Sequence, residues 1–149
     1  MCWRPMIEIR NIELPAAGFE ELHAEARAEG FDFMDTLLDD WLDGSNRFDA
    51  PGEALCGVFE QERLIAVGGL NVDPFLNDPE VGRVRRVYVR AAWRNKGIGA
   101  ALVMALVERA KASFRHVRLR AESADAGRLY ERLGFAALES ADATHGMEL

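Results

Sequence analysis

The stretch that most restricts what this chain can fold into is Arg94-Asn95-Lys96-Gly97-Ile98-Gly99-Ala100. Ahead of it, Val84-Arg85-Arg86-Val87-Tyr88-Val89 has the alternating, β-branched character of a strand. Behind it, residues 101–112 are rich in Ala, Leu, Val and Met and predict a helix. A glycine-rich turn joining strand to helix aims several backbone N–H groups at one place, which the helix dipole makes mildly positive. Gly97 and Gly99 lack the Cβ atoms that would hold a phosphate away from that backbone. Arg94 and Lys96 bring formal charge to the same turn. The stretch reads as an anion cradle suited to a pyrophosphate.

Two familiar nucleotide cradles do not fit. A dinucleotide-binding fingerprint would place a third glycine at Leu102 and keep the turn tight against the strand. A P-loop would follow Gly-Lys with Ser or Thr, whereas Lys96 precedes Gly97.

At 149 residues the chain is long enough for one domain with a substantial core, and its 49% hydrophobic and 29% charged content argues against disorder. No apolar run reaches the length of a membrane span, and the first residues lack a signal-peptide core. Cys2 and Cys56 have no metal-ligand spacing, and Cys56, in an apolar run, reads as a buried small residue. These features predict a cytoplasmic protein without membrane attachment. The net charge of −7 divides unevenly: residues 1–82 carry 18 acidic and 5 basic side chains, residues 83–149 carry 7 and 13. A basic second half suits an anionic cofactor, and an acidic first half suits a cationic substrate or simply the basic half itself. Nucleic acid is not expected, given the overall charge and the lack of a basic–aromatic pattern.

Residues 6–11 alternate as a half-buried strand, 19–29 form a helix closed by Gly30, and Asp32 is placed to cap a second helix. Met34, Leu37, Leu38, Trp41 and Leu42 give that helix one apolar stripe. Asp35, Asp39 and Asp43 share another face, which reads as a solvated one. Residues 53–59 and 64–70 predict a hairpin turning near Gln61-Glu62. A polar connection leads into the strand before the cradle. After the central helix, 116–120 read as a strand and Ser123 or Asp125 as the cap of a short helix ending at Gly134. Segments 135–138 and 143–149 close the sheet. This order describes an α/β (α+β) domain spanning 1–149 with a mixed sheet.

The cradle and Leu129-Tyr130-Glu131-Arg132-Leu133-Gly134-Phe135 together resemble two signatures of the GNAT superfamily of N-acetyltransferases: Arg-x-x-Gly-x-Gly-Ala after a strand ending Val-Tyr-Val, then Tyr-Glu-x-Leu-Gly-Phe. The resemblance is good over residues 82–135 and holds in outline before them. It implies a central mixed sheet flanked by helices, with two splayed central parallel strands admitting acetyl-coenzyme A as acyl donor. It also implies that Val87 and Val89 line the pantetheine arm, the Val89 N–H meeting the acyl carbonyl. Residues Arg94, Asn95, Lys96, Gly97, Ile98, Gly99 and Ala100 would receive the pyrophosphate, and Tyr130 would protonate the departing thiolate. Val87, Val89 and Tyr130 also suit plain core positions. Seven residues before Tyr130, where the family often has an asparagine that contacts the cofactor, stands Ser123, which the resemblance places as a cofactor-binding residue with a polar side chain.

The general base is less defined. Where family members frequently carry glutamate, six residues before Val89, this chain has Arg83, which accepts no proton. Asp73, Glu80 and His145 are the remaining candidates, with a base acting through water as the alternative. The expected activity is acetyl transfer to a primary amine of a small molecule or protein, with no metal. A homodimer is compatible with the sequence. A non-catalytic acyl-coenzyme A sensor and a nucleotide-binding regulatory domain are the rival readings.

Overall fold

The computed structural model describes residues 7–149, so Cys2 and the start of the predicted first strand lie outside the described residues. Strand β1 (Ile7–Asn11) is followed by helices α1 (Phe19–Ala28) and α2 (Phe33–Asp43), then by β2 (Ala54–Glu60), β3 (Arg63–Val72) and β4 (Val81–Val89). A 3-10 turn at Ala91–Trp93 precedes α3 (Ile98–Ala110). Strand β5 (His116–Leu119), α4 (Ala124–Arg132), β6 (Ala136–Ala137) and β7 (His145–Glu148) complete the chain.

All seven strands join one sheet in the order β1-β2-β3-β4-β5-β7-β6. The β2–β3 hairpin turns on Gln61 and Glu62, both at positive φ (49° and 65°), the twist a two-residue hairpin loop requires. Among the described residues only β4 and β5 pair in parallel, and they do so for three residue pairs, ending at Arg83 and Arg118. Beyond Arg83, β4 keeps its β3 partners while its other edge opens. This is the splay between central parallel strands expected from the family resemblance.

A bulge marks the same stretch of β4. Val67 pairs with Tyr88 and Gly69 with Arg85, so Arg86 and Val87 together face Gly68. Arg86 takes the left-handed conformation (φ 60°), which costs a non-glycine residue about 1 kcal/mol.

Two cores cover the two faces of the sheet. On one, Leu102, Leu106 and Val107 of α3 pack with Val84, Val117, Leu119 and Phe135, and Tyr130 of α4 and Leu133 just after it lie against them. On the other, Leu22 and Ala26 of α1 and Met34 and Leu37 of α2 pack on Leu64, Val67 and Tyr88. Burying one such leucine fully is worth about 1.5–3 kcal/mol.

The α2 stripe is shorter than its periodicity suggests, since Leu42 is 66% exposed at the end of the helix. Asp32 precedes α2 without a side-chain cap bond, and its carbonyl oxygen instead accepts from Thr36. Ser123 does cap α4: its Oγ accepts the Ala126 N–H at 3.1 Å.

Candidate functional site

The cleft opened by the splay holds a cavity of about 380 Å³ lined from β4, β5, α2, α4 and the loops before β4 and β7. Its lower wall is strand β4. Arg90 gives its backbone N–H to the carbonyl of Ile65 in β3 at 2.9 Å. Alternation along the strand therefore turns the N–H of Val89, and that of Val87 two residues earlier, to the open edge. Both valines keep partly buried side chains against the α3 core, so core packing and an exposed backbone edge coexist.

The cradle forms where β4 passes into α3. Asn95 (φ 62°) and Gly97 (φ 80°) adopt left-handed conformations that swing the chain into the helix. Gly97 is its N-cap, and Ala101 N–H is the first to return, to the Gly97 carbonyl at 3.0 Å. The N–H groups of Ile98, Gly99 and Ala100 thus face outward at the positive end of a 13-residue helix. A Cβ built at Gly97 meets no atom within 4 Å, and one at Gly99 would meet only the Val89 side chain, at 3.5 Å. The room above both glycines is what an approaching phosphate needs. Ile98 is buried and anchors the turn. Asn95 and Lys96 are exposed at its rim, and Ala100 is half-buried in the first helical turn.

Arg94 is engaged elsewhere. Its Nη1 donates to Glu29 of α1 at 2.7 Å and its Nε to the Val89 carbonyl at 2.9 Å. The side chain predicted to meet pyrophosphate thus ties the turn to α1, leaving its backbone at the cradle. Ser123 is likewise occupied as the α4 cap, on an exposed residue.

Tyr130 reaches the cavity from α4, edge-on to Phe135 at 5.8 Å between ring centroids. Its hydroxyl makes no hydrogen bond among the described residues. Burial first, and the nearby Glu122 carboxylate second, push its pKa up, so the phenol holds its proton at neutral pH.

The three carboxylate and histidine candidates lie in other settings. Asp73 is fully buried in its side chain, where one oxygen accepts the N–H groups of Phe75 and Leu76. The other lies 3.5 Å from Arg83 Nη1 and 3.3 Å from Arg118 Nε. Glu80 is exposed, 3.6 Å from Arg115, and precedes the start of β4, roughly 30 Å of extended strand from Val89. His145 is buried between Thr144 (2.8 Å) and Glu131 (3.1 Å), a satisfied histidine behind the Tyr130 ring. None of these three lines the cavity. Arg83 does, held by Asp73 and by the Asp142 carbonyl at 2.7 Å, with Phe75 over its guanidinium.

Sequence reasoning overlooked Glu122, an exposed carboxylate on the cavity wall without an ion-pair partner among the described residues. It stands between strand and cap and belongs to no motif. Also overlooked was Arg85-Arg86, though two adjacent arginines break the strand's alternation where the bulge falls.

The sequence profile of the acetyltransferase (GNAT) family matches residues 7–135. The chain belongs to the GNAT family. Among solved structures, a presumptive acetyltransferase from Exiguobacterium sp. 255-15 superposes with a TM-score of 0.85 at 26% identity, covering 96% of this chain and 93% of that one. A GNAT-family acetyltransferase from Streptococcus pneumoniae gives 0.70 at 16% identity, covering 97% and 99%. Glucosamine-6-phosphate N-acetyltransferase from Arabidopsis thaliana gives 0.65 at 19% identity, covering 91% and 95%. The last two likenesses concern the fold. No curated protein matches the chain in sequence. Members of this family generally use acetyl-coenzyme A as cosubstrate, and among the described residues no helix is long and apolar enough to cross a membrane.

Proposed function

We propose that this GNAT-family chain transfers the acetyl group of acetyl-coenzyme A to a primary amine by direct attack on the thioester. The observation that carries the reading is the open edge of β4, which runs from the cavity lined by the unengaged Tyr130 to the turn that leads into the unobstructed N-terminus of α3. The cradle residues from Arg94 to Ala100 would hold the pyrophosphate through their backbone, and the β4 edge at Val87 and Val89 the pantetheine arm. The bound thioester would supply an electrophilic carbonyl.

The remaining chemistry belongs to the chain. The Val89 N–H is a fixed donor for charge growing on the carbonyl oxygen, an interaction worth ~3 kcal/mol in comparable sites. Tyr130 gives its proton to the departing sulfur, its raised pKa keeping that proton in place until it is needed. For the base we favour Glu122, acting through water, over Asp73, Glu80 and His145: it lies on the cavity wall and is committed to no partner.

The test is amine-dependent release of free thiol from acetyl-coenzyme A over a panel of small amines and lysine peptides. Acceptor-dependent release supports the reading. Tight binding of acetyl-coenzyme A without release for any acceptor would favour the sensor reading, which Arg83 at the family's glutamate position keeps open.

A further inference from the structure

The cavity wall is unusually rich in arginine: Arg83, Arg85, Arg86 and Arg120 line it against two acids, Glu122 and Asp142. Pairing removes part of this charge. Arg83 is held by Asp73, and Asp142 is spoken for by Arg118 and Ser140. Arg120 donates to the Ala141 carbonyl at 3.1 Å. Arg85 and Arg86 differ from the others. Neither has a hydrogen-bond or ion-pair partner among the described residues, and the Nε of Arg86 is buried without one.

Leaving a buried guanidinium N–H unpaired is unfavourable, because the group gives up its water without gaining a partner. Both side chains are half-buried beside each other, and like charge adds to that burial. Burial first, then Arg86 and Arg83, lower the Arg85 pKa to about 10, while Asp40 and Asp73 oppose this more weakly. The backbone adds a further constraint, because Arg86 projects from the bulge at φ 60°. Desolvated, unpaired and adjacent donors in a cleft match a bidentate or tridentate oxyanion.

We propose that Arg85 and Arg86 form an anion subsite, and that the acceptor is a small amine bearing a carboxylate or phosphate. The proposal rests on the acetyltransferase reading above. It deepens that reading by assigning the acceptor's chemistry, and it replaces the cationic acceptor that the acidic first half suggested. The size of the acceptor follows from the strand. Arg86 lies three residues before Val89, on the order of 10 Å along β4. An amine and an anion separated by a few bonds span that distance once an arginine side chain reaches back.

The test separates the subsite from the enzyme activity by measuring binding first. Protein saturated with coenzyme A, which fills the pyrophosphate cradle and precludes turnover, is titrated calorimetrically with matched probes. O-phosphoethanolamine is compared with ethanolamine, and alanine with alaninamide; the two pairs distinguish phosphate from carboxylate. At least one anionic probe should bind about 10–100-fold more tightly than its partner, as one or two charge-assisted hydrogen bonds predict. Arg85→Gln and Arg86→Gln should each remove that difference, and Arg86→Lys should restore part of it. Equal affinity within both pairs in the wild-type protein overturns the proposal whatever the variants do. Anion-selective binding without acetylation would uphold the subsite while sinking the transferase reading. Acetylation without anion preference would do the reverse.

Discussion

Tyr130 presents a protonated phenol to the cleft, and nothing else among the described residues holds its hydroxyl. Tyr130→Phe removes one oxygen and keeps the ring against Phe135. Turnover should fall by about 10²-fold or more while the coenzyme A dissociation constant changes little, measured by steady-state kinetics and calorimetry. Equal loss of both would mean that the ring only shapes the pocket. Asp73 illustrates the opposite case. Two arginines and two backbone N–H groups surround its carboxylate, so Asp73→Asn leaves Arg83 and Arg118 short of a buried counter-charge. Loss of about 3 kcal/mol in urea unfolding is expected, with the acidic limb of the pH–rate profile unchanged. Sequence could place Asp73 on the loop entering β4, but not beside Arg118, which is 45 residues away and reaches it only through the parallel β4–β5 pairing.

At the scale of elements, α1 grips the end of β4. Glu25 accepts the Ala91 N–H at 3.1 Å, and Glu29 accepts from both Arg94 and the Tyr88 hydroxyl, whose oxygen lies 3.2 Å from Glu25. The Arg94 bonds first, and the Tyr88 hydroxyl second, hold the Glu29 carboxyl below its usual range. A depressed folded-state pKa contributes stability above the unfolded value, ~4.3 for glutamate, and loses it as pH falls through the folded one. Glu29→Gln should therefore melt below wild type at pH 7. The gap should close as thermal scans move below about pH 4. The elements themselves were legible: the hairpin, α3 and the capped α4 follow from periodicity and turn residues. The bulge and the α1–β4 grip were not, because each depends on which strands and helices become neighbours. The cradle turn was legible for the same reason as the hairpin, being local. Gly99→Val tests it, since the fold has ordinary contact room for a Cβ there but a phosphate would then collide. Coenzyme A binding should be lost with the melting temperature little changed.

Across the whole molecule, part of the uneven charge of the two halves goes into internal pairing. Glu25 and Glu29 meet Arg90 and Arg94, Asp73 meets Arg83 and Arg118, and Glu80 meets Arg115. Acidic residues of the first half thus help to fix the basic second half, while part of the basic excess that stays unpaired lines the cleft at Arg85 and Arg86. Net charge along a sequence could not separate these uses, because pairing is decided by the fold. An anionic cosubstrate bound along β4 and the start of α3 would fill the gap that opens between β4 and β5 beyond Arg83. Ligand at a hundred times its dissociation constant stabilises the folded state by about 2.7 kcal/mol. For a domain of this size that is a rise of roughly 5–10 °C in melting temperature. Acetyl-coenzyme A should produce it, and ATP and NAD at the same concentration should not, because neither carries a pantetheine arm to pair with the open edge of β4. A shift of the same size with ATP would assign the cradle to nucleotides in general and leave the splay of β4 and β5 without a ligand. No shift with acetyl-coenzyme A at millimolar concentration would mean that the family's fold persists here without its cosubstrate.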